Sequence, residues 1–253
     1  MQQVVFMIHG MWGGGWQWEN YRGVFEPEGY RCVAPTLPYH DVQPGSAPDP
    51  RLGTTSLLDY AGFLEAEIGK LDSPPILIGH SMGGLLAQML SARGLARAAV
   101  LLTPASPRGI ICIKPSVLRS FWSSLTRWGF WNLPTFPTFG EAVYGMMHLM
   151  PVEDQRVFYE RMVHESGRAA FEIGFWLLDR RAASRVDSAA VTCPMLVVGA
   201  AQDRITPASV VRAVAKRYRA TYKEFPDHAH MVICQPGWQN VAEFVADWLK
   251  SAL

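Results

Sequence analysis

The chain has 253 residues, 49% of them hydrophobic and 18% charged, enough to bury a sizeable core in one globular domain carrying an insertion. Lys and Arg total 23 against 22 Asp and Glu, a formal charge of +1, and no basic cluster resembles a nucleic-acid footprint, so nucleic acid is not an expected partner. The four cysteines, Cys32, Cys112, Cys193 and Cys234, are widely spaced without a C-x-x-C, so neither a zinc site nor a disulfide framework is indicated and they read as buried free thiols.

Near the N-terminus, Val4-Val5-Phe6-Met7-Ile8 lacks a positive flank and is too short for a signal-peptide core, so it reads as a strand over 3–8. Further short apolar runs predict strands over 30–35, 75–80, 97–102, 194–200 and 220–225, rich in Val, Ile and Leu as strands buried on both faces must be. Between and after them, Leu57, Leu58, Ala61, Leu64, Ile68 and Leu71 recur at three- and four-residue steps, as do Val241, Phe244, Val245, Trp248 and Leu249. Those stripes predict core-facing helices. Repeated β-α units imply an α/β fold: a mainly parallel sheet of about six strands flanked by helices. No run reaches the roughly 18 apolar residues needed to span a bilayer, and a cytoplasmic protein without a membrane span is expected.

One connection is too long for a simple crossover. Residues 107–187 form an insertion between the fourth and fifth predicted strands, leaving 1–106 and 188–253 as the core domain. The insertion holds Trp122, Trp128, Trp131, Phe136, Phe139, Met146, Met147, Met150 and Trp176, with prolines at 134, 137 and 151 that break helices. It reads as a few helices forming a cap, with most of these side chains in the cap's own core and the rest on an apolar pocket wall.

Gly79-His80-Ser81-Met82-Gly83 lies between the strand Pro75–Ile78 and the helical run Leu85–Leu90. A G-x-S-x-G at a strand-to-helix turn is a nucleophile elbow: the small residues allow close approach and Ser81 sits on a strained corner. The helix start behind it favours negative charge. A serine hydroxyl needs a base, and histidine has the suitable pKa. His80 adjoins the serine but on the opposite side of the turn, whereas Pro226-Asp227-His228-Ala229-His230-Met231 follows the last strand, so the base is His230 or His228. Asp203, just past the strand ending near Ala200, is the orienting acid; Leu102–Ser106, the other strand edge that could supply one, has no carboxylate. His9-Gly10-Met11-Trp12 follows the first strand. The backbone N–H groups of Met11 and Met82 are the expected oxyanion donors, and Trp12 is the expected substrate-binding residue. The nearby glycines 13–15 match neither a P-loop nor a dinucleotide fingerprint, and no metal or other cofactor is expected.

With Ser, Asp and His in that chain order, the sequence resembles the α/β-hydrolase superfamily over nearly its whole length. The resemblance implies a sheet trimmed from the usual eight strands. His9 through Trp18 looks like the oxyanion region of the branch containing plant methylesterases and hydroxynitrile lyases, and His230-Met231-Val232 resembles its histidine loop, which gives the base role to His230. The lyases carry a lysine after that histidine, where this chain has Met231, and dehalogenases and epoxide hydrolases need an aspartate at the elbow. The resemblance therefore implies a serine hydrolase acting on small to medium apolar esters. The same residues serve thioester hydrolysis, carbon–carbon bond hydrolysis, acyl transfer or perhydrolysis, and a hydrolase-derived ligand-binding protein would keep the same fold.

Overall fold

The computed structural model describes residues 2–253. Its strands are β1 (Val4–Ile8), β2 (Arg31–Val33), β3 (Ile76–His80), β4 (Ala98–Leu102), β5 (Pro134–Thr135), β6 (Glu165–Ser166), β7 (Met195–Ala200) and β8 (Thr221–Phe225). Six of them form one sheet in the order β2-β1-β3-β4-β7-β8, every neighbour parallel. β5 and β6 pair antiparallel in a small ribbon of their own.

The helices are α1 (Glu19–Phe25), α2 (Leu57–Ile68), α3 (Met82–Ser91), α4 (Pro115–Ser120), α5 (Trp122–Leu125), α6 (Phe139–Ala142), α7 (Val152–Glu160), α8 (Gly167–Gly174), α9 (Ala208–Tyr218) and α10 (Trp238–Ala252). Alternate strand residues point to opposite faces, and each face has its own core. Val5, Met7, Ile78, Val100 and Val198 pack with α1 and α10, while Phe6, Ile8, Leu77, Leu101 and Val197 pack with α2, α3 and α9. The four inner strands are buried throughout.

The two outer strands differ from the sequence reading. β8, Thr-Tyr-Lys-Glu-Phe, alternates between exposed and half-buried, and β2 exposes Arg31. Both are sheet edges, where one flank faces solvent and polar residues are tolerated. The thiols also differ: all four cysteines are free, but only Cys32 and Cys112 are buried, Cys193 and Cys234 being half-buried. Among the described residues no helix is long and apolar enough to cross a membrane.

The segment between β4 and β7 is helical with the β5–β6 ribbon inside it, and it is fastened to the sheet domain by buried carboxylates. Glu172 on α8 accepts from Ser56 Oγ at 2.8 Å and from the Leu57 N–H at 2.8 Å, capping α2 from outside its own chain segment. Glu165 on β6 accepts from Tyr60 Oη at 2.7 Å and pairs with His40 Nε2 at 3.0 Å, all three side chains buried. Burial alone would raise the Glu165 carboxyl, but the His40 charge and the hydrogen bonds of His40, Tyr60 and the Ser166 N–H hold it below the ordinary range. Burial would lower His40, and Glu165 more than reverses that. Both shifts favour the ionised form of the pair. Of the insertion's aromatic and methionine residues, Met147 and Met150 are buried as expected, whereas Trp122 and Trp128 lie on the surface.

Candidate active site

β3 ends at His80 and α3 starts at Met82, so Ser81 alone turns the chain. Its backbone sits at φ 54°, ψ −119°, a conformation that costs a non-glycine residue of order 1–3 kcal/mol. Surrounding hydrogen bonds hold it there: Ser81 N–H donates to Leu102 O at 3.0 Å, and Ser81 O accepts from the N–H groups of Gly84 at 2.9 Å and Ala105 at 2.8 Å. The two glycines of the motif are required by close approach. A Cβ at Gly83 would fall on the carbonyl oxygen of Ile8, and one at Gly79 on the carbonyl of Gly83. Gly83→Ala is therefore expected to lower stability by about 1–3 kcal/mol or more and to displace Ser81. Thermal unfolding of the purified variant checks this, and an unchanged melting temperature contradicts it.

His230 stands on an irregular loop after β8. Its Nε2 lies 3.0 Å from Ser81 Oγ and its Nδ1 lies 2.8 Å from Asp203 Oδ2. All three residues are buried, Ser81 retaining 8% exposure. Asp203 Oδ1 accepts from the N–H groups of Ile205 and Thr206, each at 2.8 Å, and Oδ2 also takes the Thr206 hydroxyl at 2.7 Å. Burial alone would raise this carboxyl, but the His230 imidazole and the hydrogen bonds of His230 and Thr206 bring it below the ordinary carboxylate range. Asp203 thus both caps the turn leading to α9 and partners His230. His228, the other candidate base, faces Gly237 O at 3.1 Å instead.

The structure corrects the reading of His80. Its ring packs beside that of His230, centroids 4.9 Å apart, and its Nε2 donates to His230 O at 2.9 Å. Burial first, then the neighbouring His230, lowers its pKa to about 3, so it is a neutral donor that fixes the loop. Thr103 Oγ1 donates to the same carbonyl at 3.1 Å, while Thr103 O, 2.9 Å from Thr206 Oγ1, is a second acceptor within reach of that hydroxyl's one proton. Thr103 and Thr206 carry no catalytic signature in sequence; the strained φ of 40° at Thr103, at the tip of β4, marks the spot only in three dimensions.

The loop after β1 passes close to Ser81: a Cβ at Gly10 would lie 3.0 Å from Ser81 Cβ. His9 below it accepts the Leu37 N–H on Nε2 at 3.0 Å and so donates from Nδ1 to Gly10 O at 2.8 Å. Burial, then the His40 charge, lowers its pKa to about 4 and keeps it neutral. Met11 and Met82 both border Ser81. The Met82 N–H, first in α3, has no acceptor within its helix.

Two cavities meet at Ser81. The larger, about 790 Å³ including its open mouth, is lined by Met11, Met82 and apolar residues of the helical segment, among them Val117, Leu125, Phe130 and Ile173. The smaller, about 350 Å³, is bounded by Trp12, Gln17, Phe121, Met146, His80 and His230. Trp12 is buried there, its ring 5.3 Å from that of Phe121. Of the nine aromatic and methionine residues singled out in the insertion, Met146 borders these cavities, while aliphatic residues and Phe121, Phe130 and Phe175 form most of the wall.

The model of the alpha/beta hydrolase family matches residues 5–244, and the chain belongs to that family. Among solved structures it is similar to a methylesterase from Arabidopsis, with 13% identity, a TM-score of 0.73 and coverage of 98% of this chain and 99% of that one. It is also similar to a monoacylglycerol lipase of Paleococcus ferrophilus, with 20% identity, a TM-score of 0.70 and coverage of 99% and 95%. A pyrethroid hydrolase from Sphingobium faniae gives 17% identity, a TM-score of 0.68 and coverage of 97% and 96%. At these identities the likeness establishes the fold. No curated protein matches the chain by sequence.

Proposed function

We propose that this protein is a serine hydrolase that cleaves carboxylic esters with apolar acyl groups through an acyl-enzyme. The observation that carries the reading is the His230 ring, bridging Ser81 Oγ and Asp203 Oδ2 where an apolar cavity reaches the serine. In this mechanism Ser81 Oγ bonds to the ester carbon while its proton passes to His230 Nε2, and Asp203 stabilises the imidazolium. The Met11 and Met82 N–H groups hold the oxyanion. Collapse breaks the bond to the alcohol oxygen, which takes the proton from His230. Water then repeats the sequence on the acyl-enzyme and releases the acid. The names of the structural neighbours, a methylesterase, a lipase and a pyrethroid hydrolase, support the reaction class. The four free thiols suit a reducing compartment such as the cytoplasm.

Residues 107–187 act in this reading as a cap over the core formed by 1–106 and 188–253, and the two cavities divide the substrate. The leaving oxygen must come within reach of His230 Nε2, and His230 borders the smaller cavity. The alcohol part therefore lies there, beside Trp12. Trp12 Nε1 and Gln17 Oε1 lack hydrogen-bond partners among the described residues, which suits a compact polar leaving group. The acyl chain takes the larger, apolar cavity. With p-nitrophenyl esters from acetate upward, kcat/KM is expected to rise about fourfold per added methylene until the cavity is filled, following roughly 0.8 kcal/mol per buried CH₂. A burst of nitrophenol equal to the enzyme concentration would mark the acyl-enzyme. Saturable ester binding without turnover would instead indicate a ligand-binding protein.

A further inference from the structure

We propose that the face surrounding the mouth of the larger cavity docks onto an anionic lipid surface. Ile113 and Leu118 line that cavity and are still 38% and 39% exposed, so they mark where it opens. Around them the chain presents large apolar side chains to solvent: Ile111 at 66%, Trp122 at 62%, Trp128 at 89%, Leu177 at 70% and Leu178 at 69%. Contacts join all of these but Trp122 into one region, and Trp122 adjoins it through α5, whose Ser124 and Leu125 line the same cavity. Trp176 Nε1 donates to Ile110 O at 3.2 Å, which places the 177–178 turn beside the 110–113 loop. Rings continue the patch from Trp128 to Trp131 at 5.3 Å, from Trp131 to Phe171 at 5.9 Å and from Phe171 to Phe175 at 5.6 Å. Exposed apolar groups concentrated in this way mark an interaction surface, and tryptophan is favoured where hydrocarbon meets headgroups.

Charge selects the partner. From Pro107 to Gly140 the sequence has Arg108, Lys114, Arg119 and Arg127 and no Asp or Glu, although the whole chain carries only +1. Arg180 and Arg181 extend the basic rim past Leu178; among the described residues none of these six makes a salt bridge, although Arg108 is half-buried and donates to Trp176 O and Asp179 O, and Arg119 lies over the Tyr144 ring. The acids flanking these stretches in sequence are Glu141, held by Ser123 and Thr138 and still carrying its negative charge, and Asp179, which is buried and accepts the N–H groups of Arg181 and Ala183. Exposed apolar side chains rimmed by unpaired cations complement a negative, hydrocarbon-backed surface. A second copy of the same face would bring like charges together. Docked in this way, the mouth would open directly toward the acyl region of the lipid.

The test is co-sedimentation of the full chain with phosphatidylcholine vesicles, with and without phosphatidylglycerol, at low and high salt. It needs no turnover, so Ser81→Ala protein is expected to bind as wild type does, whatever becomes of the ester reading. Binding is expected only with phosphatidylglycerol present and to weaken with salt. Lys114→Ala with Arg127→Ala should weaken it about twentyfold or more, roughly fivefold per cation. Trp122→Ala with Trp128→Ala should weaken it about tenfold or more, with hydrolysis of a soluble p-nitrophenyl ester unchanged. Absence of binding to anionic vesicles at low salt overturns the proposal, as does binding that neither pair of substitutions alters. A wild-type dimer that the tryptophan substitutions dissociate would also overturn it, by assigning the face to a contact between copies.

Discussion

Ser81→Ala is expected to lower ester turnover by about four orders of magnitude or more while leaving the protein folded. The substitution keeps the Cβ and hence the strained backbone already stabilised by Leu102 O and the N–H groups of Gly84 and Ala105, so it removes the hydroxyl and little else. Other hydroxyls border the larger cavity, and they provide the control. Ser106 and Ser124 have no histidine contact, and Thr206 Oγ1 approaches His230 at the wrong nitrogen, 3.4 Å from Nδ1. Ser106→Ala is thus expected to retain activity. Steady-state hydrolysis of p-nitrophenyl butyrate, with thermal unfolding to verify folding, distinguishes these outcomes. Turnover surviving in Ser81→Ala would move the nucleophile elsewhere.

Asp203→Asn should cost about 10⁴ in kcat, for a reason visible in the hydrogen bonds around the carboxylate. Oδ1 receives two backbone N–H groups, from Ile205 and Thr206, which cannot turn into acceptors. The asparagine oxygen must therefore occupy that side, leaving its NH₂ toward His230 Nδ1. The imidazole then accepts at Nδ1 and carries its proton on Nε2, facing Ser81 as a donor and unable to take the serine proton. The Thr206 hydroxyl can accommodate the exchange by donating to Thr103 O, so folding should survive. A kcat loss with nearly unchanged KM, together with an imidazole NMR signal showing the shifted tautomer, would establish the tautomer argument. Near wild-type kcat would refute the orienting role.

Much of this was legible in the sequence because the relevant signals are local. Inner strands must be apolar on both faces, so 3–8, 75–80, 97–102 and 194–200 stand out as runs, and each lies within a residue or two of an observed strand. Ser81, Asp203 and His230 each follow a strand, and a parallel sheet brings such ends to one edge. What escaped notice depends on distant pairing. Edge position decides why β8 can be Thr-Tyr-Lys-Glu-Phe, and no window of sequence contains that fact. His80 was misread because its orientation is set by His230, 150 residues away. Tryptophans and methionines in the insertion suggest a cavity wall, yet large rings there can equally face solvent, as Trp122 and Trp128 do.

The buried carboxylates Glu165 and Glu172 limit how the molecule can be rebuilt. Each arises within the segment between β4 and β7 and ends on groups belonging to the other part of the chain: His40 and Tyr60 for one, Ser56 and the Leu57 N–H for the other. Transplanting residues 107–187 onto a different hydrolase scaffold would leave two buried carboxyl groups without their partners unless positions 40, 56 and 60 travelled with them. The unit of exchange, for a protein engineer or for recombination between genes, is therefore discontinuous, and a crossover placed only at the ends of the insertion would produce a chimera that folds poorly.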